Sequence, residues 1–230
     1  MTEPTDQPQL PTEPPPPTEP QPVQPLPQSP TQEWDERYSA GERIWSGQPN
    51  AALVREAADL PPGRALDLGS GEGADAIWLA EQGCQVTGID ISQVALAKAE
   101  AHATSRGVTV DWQQHDLQTS FPAGAYDLVS AMFLHSRGEL DRVAILRRAA
   151  AAVAPGGVLL IVGHDDWPAW AVDHDPSVHF DSPAEVLAFL DLPAGQWETL
   201  VSESYERPVP APDGTPASRK DNTLRVRRLS

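Results

Sequence analysis

The chain has 230 residues, 33 acidic against 16 Lys and Arg, for a net charge of −17, with 40% hydrophobic residues, 25 prolines and one cysteine. Length predicts one domain with a well-buried core, and the acidity excludes phosphate-rich partners, so neither a nucleic acid nor an anionic membrane is expected. A lone Cys84, an N-terminus without a basic or apolar signal segment, and no run of about 18 apolar residues predict a cytoplasmic protein without disulfide or spanning helix.

Residues 1–30 hold 12 of the prolines, the acids Glu3, Asp6, Glu13 and Glu19, and no Lys or Arg. They predict a disordered acidic tail, partly polyproline II, ahead of a folded domain over 31–230. Trp34, Tyr38, Ile44 and Trp45 predict a short helix followed by a loop. Asn50 is placed to cap a helix from Ala51 to about Asp59, which Pro61, Pro62 and Gly63 end. Strands then alternate with helices: strand Arg64 to Leu68, helix Ala74 to Gln82, strand Gln85 to Ile89, helix to Arg106 capped by Ser92, strand Val108 to Trp112, strand Tyr126 to Met132, helix Glu139 to Val153, strand Val158 to Gly163. This order predicts an α/β doubly wound, mostly parallel sheet with helices on both faces. Residues 164–182 carry His164, His174, His179, five aspartates, Trp167 and Trp170 without regular periodicity, and predict a lid. Ser182 and Pro183 open a helix through Asp191. Trp197 to Arg207 and Thr223 to Arg228, joined by a Pro-rich turn, predict an antiparallel closing pair.

The sharpest motif is Asp67-Leu68-Gly69-Ser70-Gly71-Glu72-Gly73, between the first strand and a helix. Glycines there let the backbone approach a ligand, and the helix start offers free amides. Gly69, Gly71 and Ala74 also satisfy a dinucleotide fingerprint, which keeps an NAD(P)-dependent oxidoreductase as an alternative. Asp67 argues for a cationic ligand instead, because a carboxylate is a poor neighbour for pyrophosphate. Asp90, closing the second strand, is placed to accept both hydroxyls of a ribose. Asp116 can accept from the exocyclic amine of adenine, with Ile91 and Leu117 on either side of the base.

With Gly88-Ile89-Asp90-Ile91-Ser92, His115-Asp116-Leu117, Tyr126-Asp127-Leu128-Val129 and Pro155-Gly156-Gly157 following in order, residues 64–163 resemble the class I S-adenosylmethionine-dependent methyltransferases. The resemblance implies a seven-stranded sheet with its last strand antiparallel and S-adenosyl-L-methionine as cofactor. The assigned cofactor residues are Asp67, Gly69, Ser70, Gly71, Asp90, Ile91, Asp116, Leu117 and Ala131. The lead-in over 31–50, with Trp34-Asp35-Glu36-Arg37-Tyr38 and Trp45, is similar to that of the small-molecule branch of thiopurine- and tellurite-resistance-type enzymes, which implies a small-molecule acceptor.

In-line methyl transfer works mainly by alignment, and a base is useful when the acceptor is a hydroxyl or ammonium. His135, after the fourth strand, is the candidate base, with loop packing as its other reading. Trp34, Tyr38, Trp45, Arg137 and His164 are candidate substrate residues, each with packing or a solvated charge as its alternative. The His/Asp-rich segment lacks metal-ligand spacing, so no metal is assigned. A non-catalytic S-adenosylmethionine-binding module docking through its Pro-rich tail is the third reading. The sequence leaves oligomeric state and the methylated atom open.

Overall fold

The computed structural model describes residues 29–135, 140–171, 173–174 and 178–230. Arg137, Glu139, Asp175 and residues 1–28 of the expected tail lie outside them. The expected domain start at 31 falls inside a helix: Ser29 and Gln32 form a reciprocal capping box, and Pro30 is the first residue of α1 (Pro30–Ser39), a position where its missing N–H costs nothing.

The remaining elements are α2 (Ala51–Ala57), β1 (Arg64–Leu68), α3 (Ala74–Glu81), β2 (Gln85–Asp90), α4 (Gln93–Arg106), β3 (Asp111–Gln114), β4 (Tyr126–Met132), α5 (Arg142–Ala151), β5 (Val153–His164), α6 (Pro183–Leu190), β6 (Trp197–Pro208) and β7 (Ser218–Arg228). The seven strands form one sheet in the order β3-β2-β1-β4-β5-β7-β6. Pairing is parallel from β3 through β5, and β7 runs antiparallel to both its neighbours. The order reverses between β1 and β4, which opens a crevice at the carboxyl ends of the strands.

Alternation along the strands sorts the core onto two faces. Leu66, Leu68, Val129, Leu159 and Ile161 meet Ile145, Leu146 and Ala149 of α5 and Val186 and Leu190 of α6. Ala65, Leu128, Leu160 and Val162 meet Ala52 and Leu53 of α2 and Ala76 and Leu79 of α3.

Several expected boundaries move. β3 starts at Asp111, not Val108, because Val108 still closes α4 by donating to the Ala103 carbonyl. α2 ends at Ala57. Asn50 holds its N-cap position but makes no side-chain cap; its backbone N–H and side-chain amide both donate to Asp75, each at 2.6 Å. β5 begins at Val153, with the Pro155–Gly157 kink inside it as a register shift against β4. The largest difference is β7, which starts at Ser218 and not Thr223, with Asp221, Asn222 and Thr223 buried.

Candidate functional site

One cavity of about 790 Å³ opens over the carboxyl ends of the strands, within the roughly 300–1,000 Å³ of small-molecule sites. It runs from the glycine loop after β1 to the ends of β4, β5, β6 and β7.

At the loop end, Gly69, Gly71 and Gly73 all have positive φ. Gly71 shows why: at φ +53 a Cβ would sit 2.8 Å from the Tyr38 hydroxyl. A Cβ on Gly73 would stand 2.8 Å from that of Ala99, so this glycine lets the start of α3 close on α4. The Gly71 N–H donates to Asp90 Oδ2 and the Ser92 N–H to Asp90 Oδ1, both at 2.9 Å. The carboxylate is thereby fixed with a free lone pair on each oxygen, as a ribose diol needs. Burial raises the Asp90 pKa while these amides oppose the rise.

Asp67, 2% exposed, accepts from the Ser130 hydroxyl at 2.9 Å. Its pKa is pushed well above the carboxylate range, first by burial and then by Asp75 and Asp90. Three carboxylates under one glycine loop are a poor seat for pyrophosphate and a good one for a cation. Ile91, Asp116 and Leu117 line the next stretch of wall, and the Gln118 N–H at 3.0 Å orients Asp116. The residues present thus fit a cationic nucleoside: acids for ammonium and ribose, and an apolar pair flanking an acid for adenine.

Trp34, Tyr38 and Trp45 line the cavity from α1 and the following loop. They close over the glycine loop and Asp90. Trp45 Nε1 donates to the Tyr38 hydroxyl at 3.2 Å, Trp34 packs 5.8 Å from the Tyr38 ring, and Arg37 lies over both tryptophans. The loop is held by Glu72, a residue the sequence reading passed over. Its buried carboxylate accepts from the N–H groups of Ile44 and Trp45 and from Lys98 Nζ, at 3.1 to 3.3 Å. Asp75, also passed over, holds Asn50.

At the opposite end, His135 and His164 lie with parallel rings 5.3 Å apart, beside Phe133, whose φ of 51 is strained for an aromatic residue. His164 Nδ1 bonds Asp221 Oδ1 at 2.8 Å, and the second Asp221 oxygen accepts from Arg207 Nε. Asp221 is fully buried. Burial works to raise its pKa, yet the His164 and Arg207 bonds hold it below the usual range. Burial lowers the His164 pKa against the pull of Asp221. His135 is pushed down to about 4, first by loss of water and then by His164, Arg142 and Arg219.

Two expectations need correction. Ala131 is not among the residues that line the cavity: it pairs between Leu68 and Ile161 near the carboxyl end of β4, and its side chain is fully buried in the core. Trp167 and Trp170 are not among the residues that line the cavity; Trp167 packs on His174 and Phe180. The segment expected as a lid is pinned at both ends by Asn222, whose side-chain amide donates to Asp165 and to the Asp181 carbonyl. Among the described residues no group of three His, Cys, Asp or Glu side chains is placed to hold a metal, and no helix is long and apolar enough to cross a membrane. Tyr205, Arg207, Arg219 and Asp221 were missed because β6 and β7 bring them in from beyond the motif region. The alternation Arg219-x-Asp221 was their only signal.

Residues 65–157 match the family described as methyltransferase domain. Over this stretch, about two fifths of its length, the chain is similar to methyltransferase domains. It is 31% identical over 112 residues to a ubiquinone biosynthesis O-methyltransferase of Marinobacter nauticus, covering 47% of each chain; it spans about half the length of the curated relatives it matches. In structure it is similar to TehB from Haemophilus influenzae, with TM-score 0.62 and 19% identity over 86% of this chain and 67% of that one. It is also similar to the N-methyltransferase NodS from Bradyrhizobium japonicum in complex with S-adenosyl-L-homocysteine, with TM-score 0.60 and 18% identity over 88% of this chain and 100% of that one. At these identities the two structures establish the shared fold.

Proposed function

We propose that the protein transfers a methyl group from S-adenosyl-L-methionine to a small-molecule acceptor. The observation that carries this reading is the set of three buried carboxylates, Asp67, Asp75 and Asp90, gathered under a positive-φ glycine loop at the switch point of the methyltransferase domain. That set favours a sulfonium nucleoside with a free ammonium over a dinucleotide, and NodS supports it, since its complex holds the demethylated product of that nucleoside.

When bound, the cofactor supplies an activated methyl group whose bond electrons stay with sulfur as the acceptor displaces it in line. The chain's part is to align and to take a proton. Asp90 would hold the ribose, Asp67 and Asp75 the ammonium, and Asp116 with Ile91 and Leu117 the adenine. The base passes from His135 to His164. A protonated Nδ1 donating to Asp221 leaves Nε2 as the acceptor of a hydroxyl proton, and the imidazolium so formed is stabilised by the buried carboxylate. His135 then packs against His164 as a neutral ring. The Trp34, Tyr38 and Trp45 wall, with a half-exposed Trp45 at its edge, would exclude water over the cofactor.

Isothermal titration with S-adenosyl-L-methionine, S-adenosyl-L-homocysteine and NADH in parallel tests the reading. Both sulfur nucleotides should bind, and Asp90→Ala should weaken them by at least tenfold. Binding of NADH alone would overturn it.

A further inference from the structure

The cavity is electrically divided. Asp67, Glu72, Asp75, Asp90 and Asp116 line the glycine-loop end, where Arg37 lies over Trp34 and Trp45, whereas the charged groups from β6 and β7 are Arg207 and Arg219. Those two arginines face each other across the strands, and like charges directly opposite are unfavourable by themselves. Asp221 offsets Arg207, and its other oxygen is taken by His164. Arg219 feels Asp221 only at a distance: among the described residues no carboxylate lies within ion-pair distance of it, and its Nε is buried without a hydrogen-bond partner. The nearby cations are already matched, Arg142 to Asp181 at 2.7 Å and Lys220 to Asp165 at 2.9 Å. Arg219 also acts on both histidines, lowering the pKa of each, so its charge is felt where the acceptor must lie.

A buried donor left unmade is costly, and a guanidinium fork matches a carboxylate in two parallel bonds. We propose that the methyl acceptor carries a carboxylate, received by Arg219 beside His164. The inference rests on the methyl-transfer reading for the word acceptor, and it adds the substrate class: a small acid whose nucleophile lies on the His164 side. An acidic protein thus keeps a cationic corner at the β6–β7 end of its site, apart from Arg37, which stacks on tryptophans at the other end.

The test is titration of two matched pairs, meta-hydroxybenzoate with meta-hydroxybenzamide and thioglycolate with thioglycolamide, into protein saturated with S-adenosyl-L-homocysteine. The wild type should bind at least one acid about tenfold more tightly than its amide, the size expected for one charge-assisted contact. Arg219→Gln should bring acid and amide within about twofold of each other, and Arg219→Lys should keep part of the preference. Equal affinity for S-adenosyl-L-homocysteine in all three proteins shows that the fold is kept. The inference fails if neither acid binds, if the amides bind as well as the acids, or if the preference survives in Arg219→Gln. Should the wild type not bind S-adenosyl-L-homocysteine, the cofactor reading falls, and the same pairs titrated into the ligand-free protein decide the carboxylate question separately.

Discussion

Asp67 is where binding and stability pull in opposite directions. Its carboxylate is buried beside Asp75, with the Ser130 hydroxyl as hydrogen-bond partner, so keeping it charged near neutral pH works against the folded state. An acid whose folded pKa lies above its unfolded value contributes stability only at low pH, and that contribution is lost as pH rises. Asp67→Asn removes the charge, and the amide oxygen still accepts from Ser130. The ligand-free variant should melt higher, by about 2–4 °C for each kcal/mol relieved in a domain of this size, while its affinity for S-adenosyl-L-methionine drops at least tenfold. Thermal unfolding and calorimetry check the two halves independently, and a lower melting temperature would refute the first. His135 gives the reverse pH dependence. An unfolded histidine takes its proton near 6.5, while the native state holds it off to about 4. In that window the unfolded chain binds the extra proton, so this stability is complete above about pH 6.5 and drains away as the pH falls toward 4. His135→Gln should therefore lose less stability than the wild type between about pH 7.5 and about pH 4.5 in urea unfolding. The side chain keeps an exposed surface, and screening by water reduces the difference. Parallel pH profiles would show that His135 is protonated alike in both states.

The elements of the proposed cofactor end were readable because their chemistry is local. A strand, a glycine run and a helix start fall within eleven residues, Asp90 ends the next strand, and Asp116 follows the end of the one after it by two residues. The proposed acceptor end was not readable for the opposite reason. His164, Arg207, Arg219 and Asp221 come from three strands and meet only through antiparallel pairing. The start of β7 reads as a polar turn because Lys220, Asp221 and Asn222 lack the apolar alternation of a strand, yet the latter two are buried to serve His164, Arg207 and the 164–181 segment. Ala131 differs in the other direction: the resemblance implied a cofactor contact, and its side chain is buried in the core instead. The lead-in over 31–50 belongs to the first kind in sequence and the second in structure. Its aromatics were visible, but its fastening to Glu72 was not. Glu72→Ala would release two backbone amides and leave Lys98 with only the carbonyls of Tyr38 and Gly41. Each buried partner lost costs roughly 1–3 kcal/mol, enough to free the segment without unfolding the sheet. Limited proteolysis should then cut between residues 40 and 50 faster than in the wild type, and affinity for S-adenosyl-L-homocysteine should drop about tenfold. Unchanged cleavage would mean that the Asp35 contacts to Ser92 and Val94 suffice to hold it.

At the scale of the whole molecule, the net charge of −17 and the cationic corner at Arg219 make opposite demands on an anionic acceptor. The long-range field repels it, whereas the contact inside the cavity attracts it, and salt separates the two because it screens distance before it screens contact. The Debye length falls from about 30 Å at 0.01 M to about 8 Å at 0.15 M. Over that range the repulsion between the surface acids and an approaching carboxylate is largely removed, while a pair buried at van der Waals range keeps most of its strength. Affinity for meta-hydroxybenzoate should accordingly rise as ionic strength goes from about 0.01 M to about 0.15 M, and affinity for the neutral amide should stay level. The direction is diagnostic. A surface ion pair weakens with salt, so a fall in acid affinity over this range would place the carboxylate at the cavity rim, on an exposed cation, and not on Arg219. A rise that persists in Arg219→Gln would assign the effect to the body charge alone. Only a rise in the wild type, with acid and amide already near parity in Arg219→Gln, has both the repulsive surface and the attractive corner acting on one ligand.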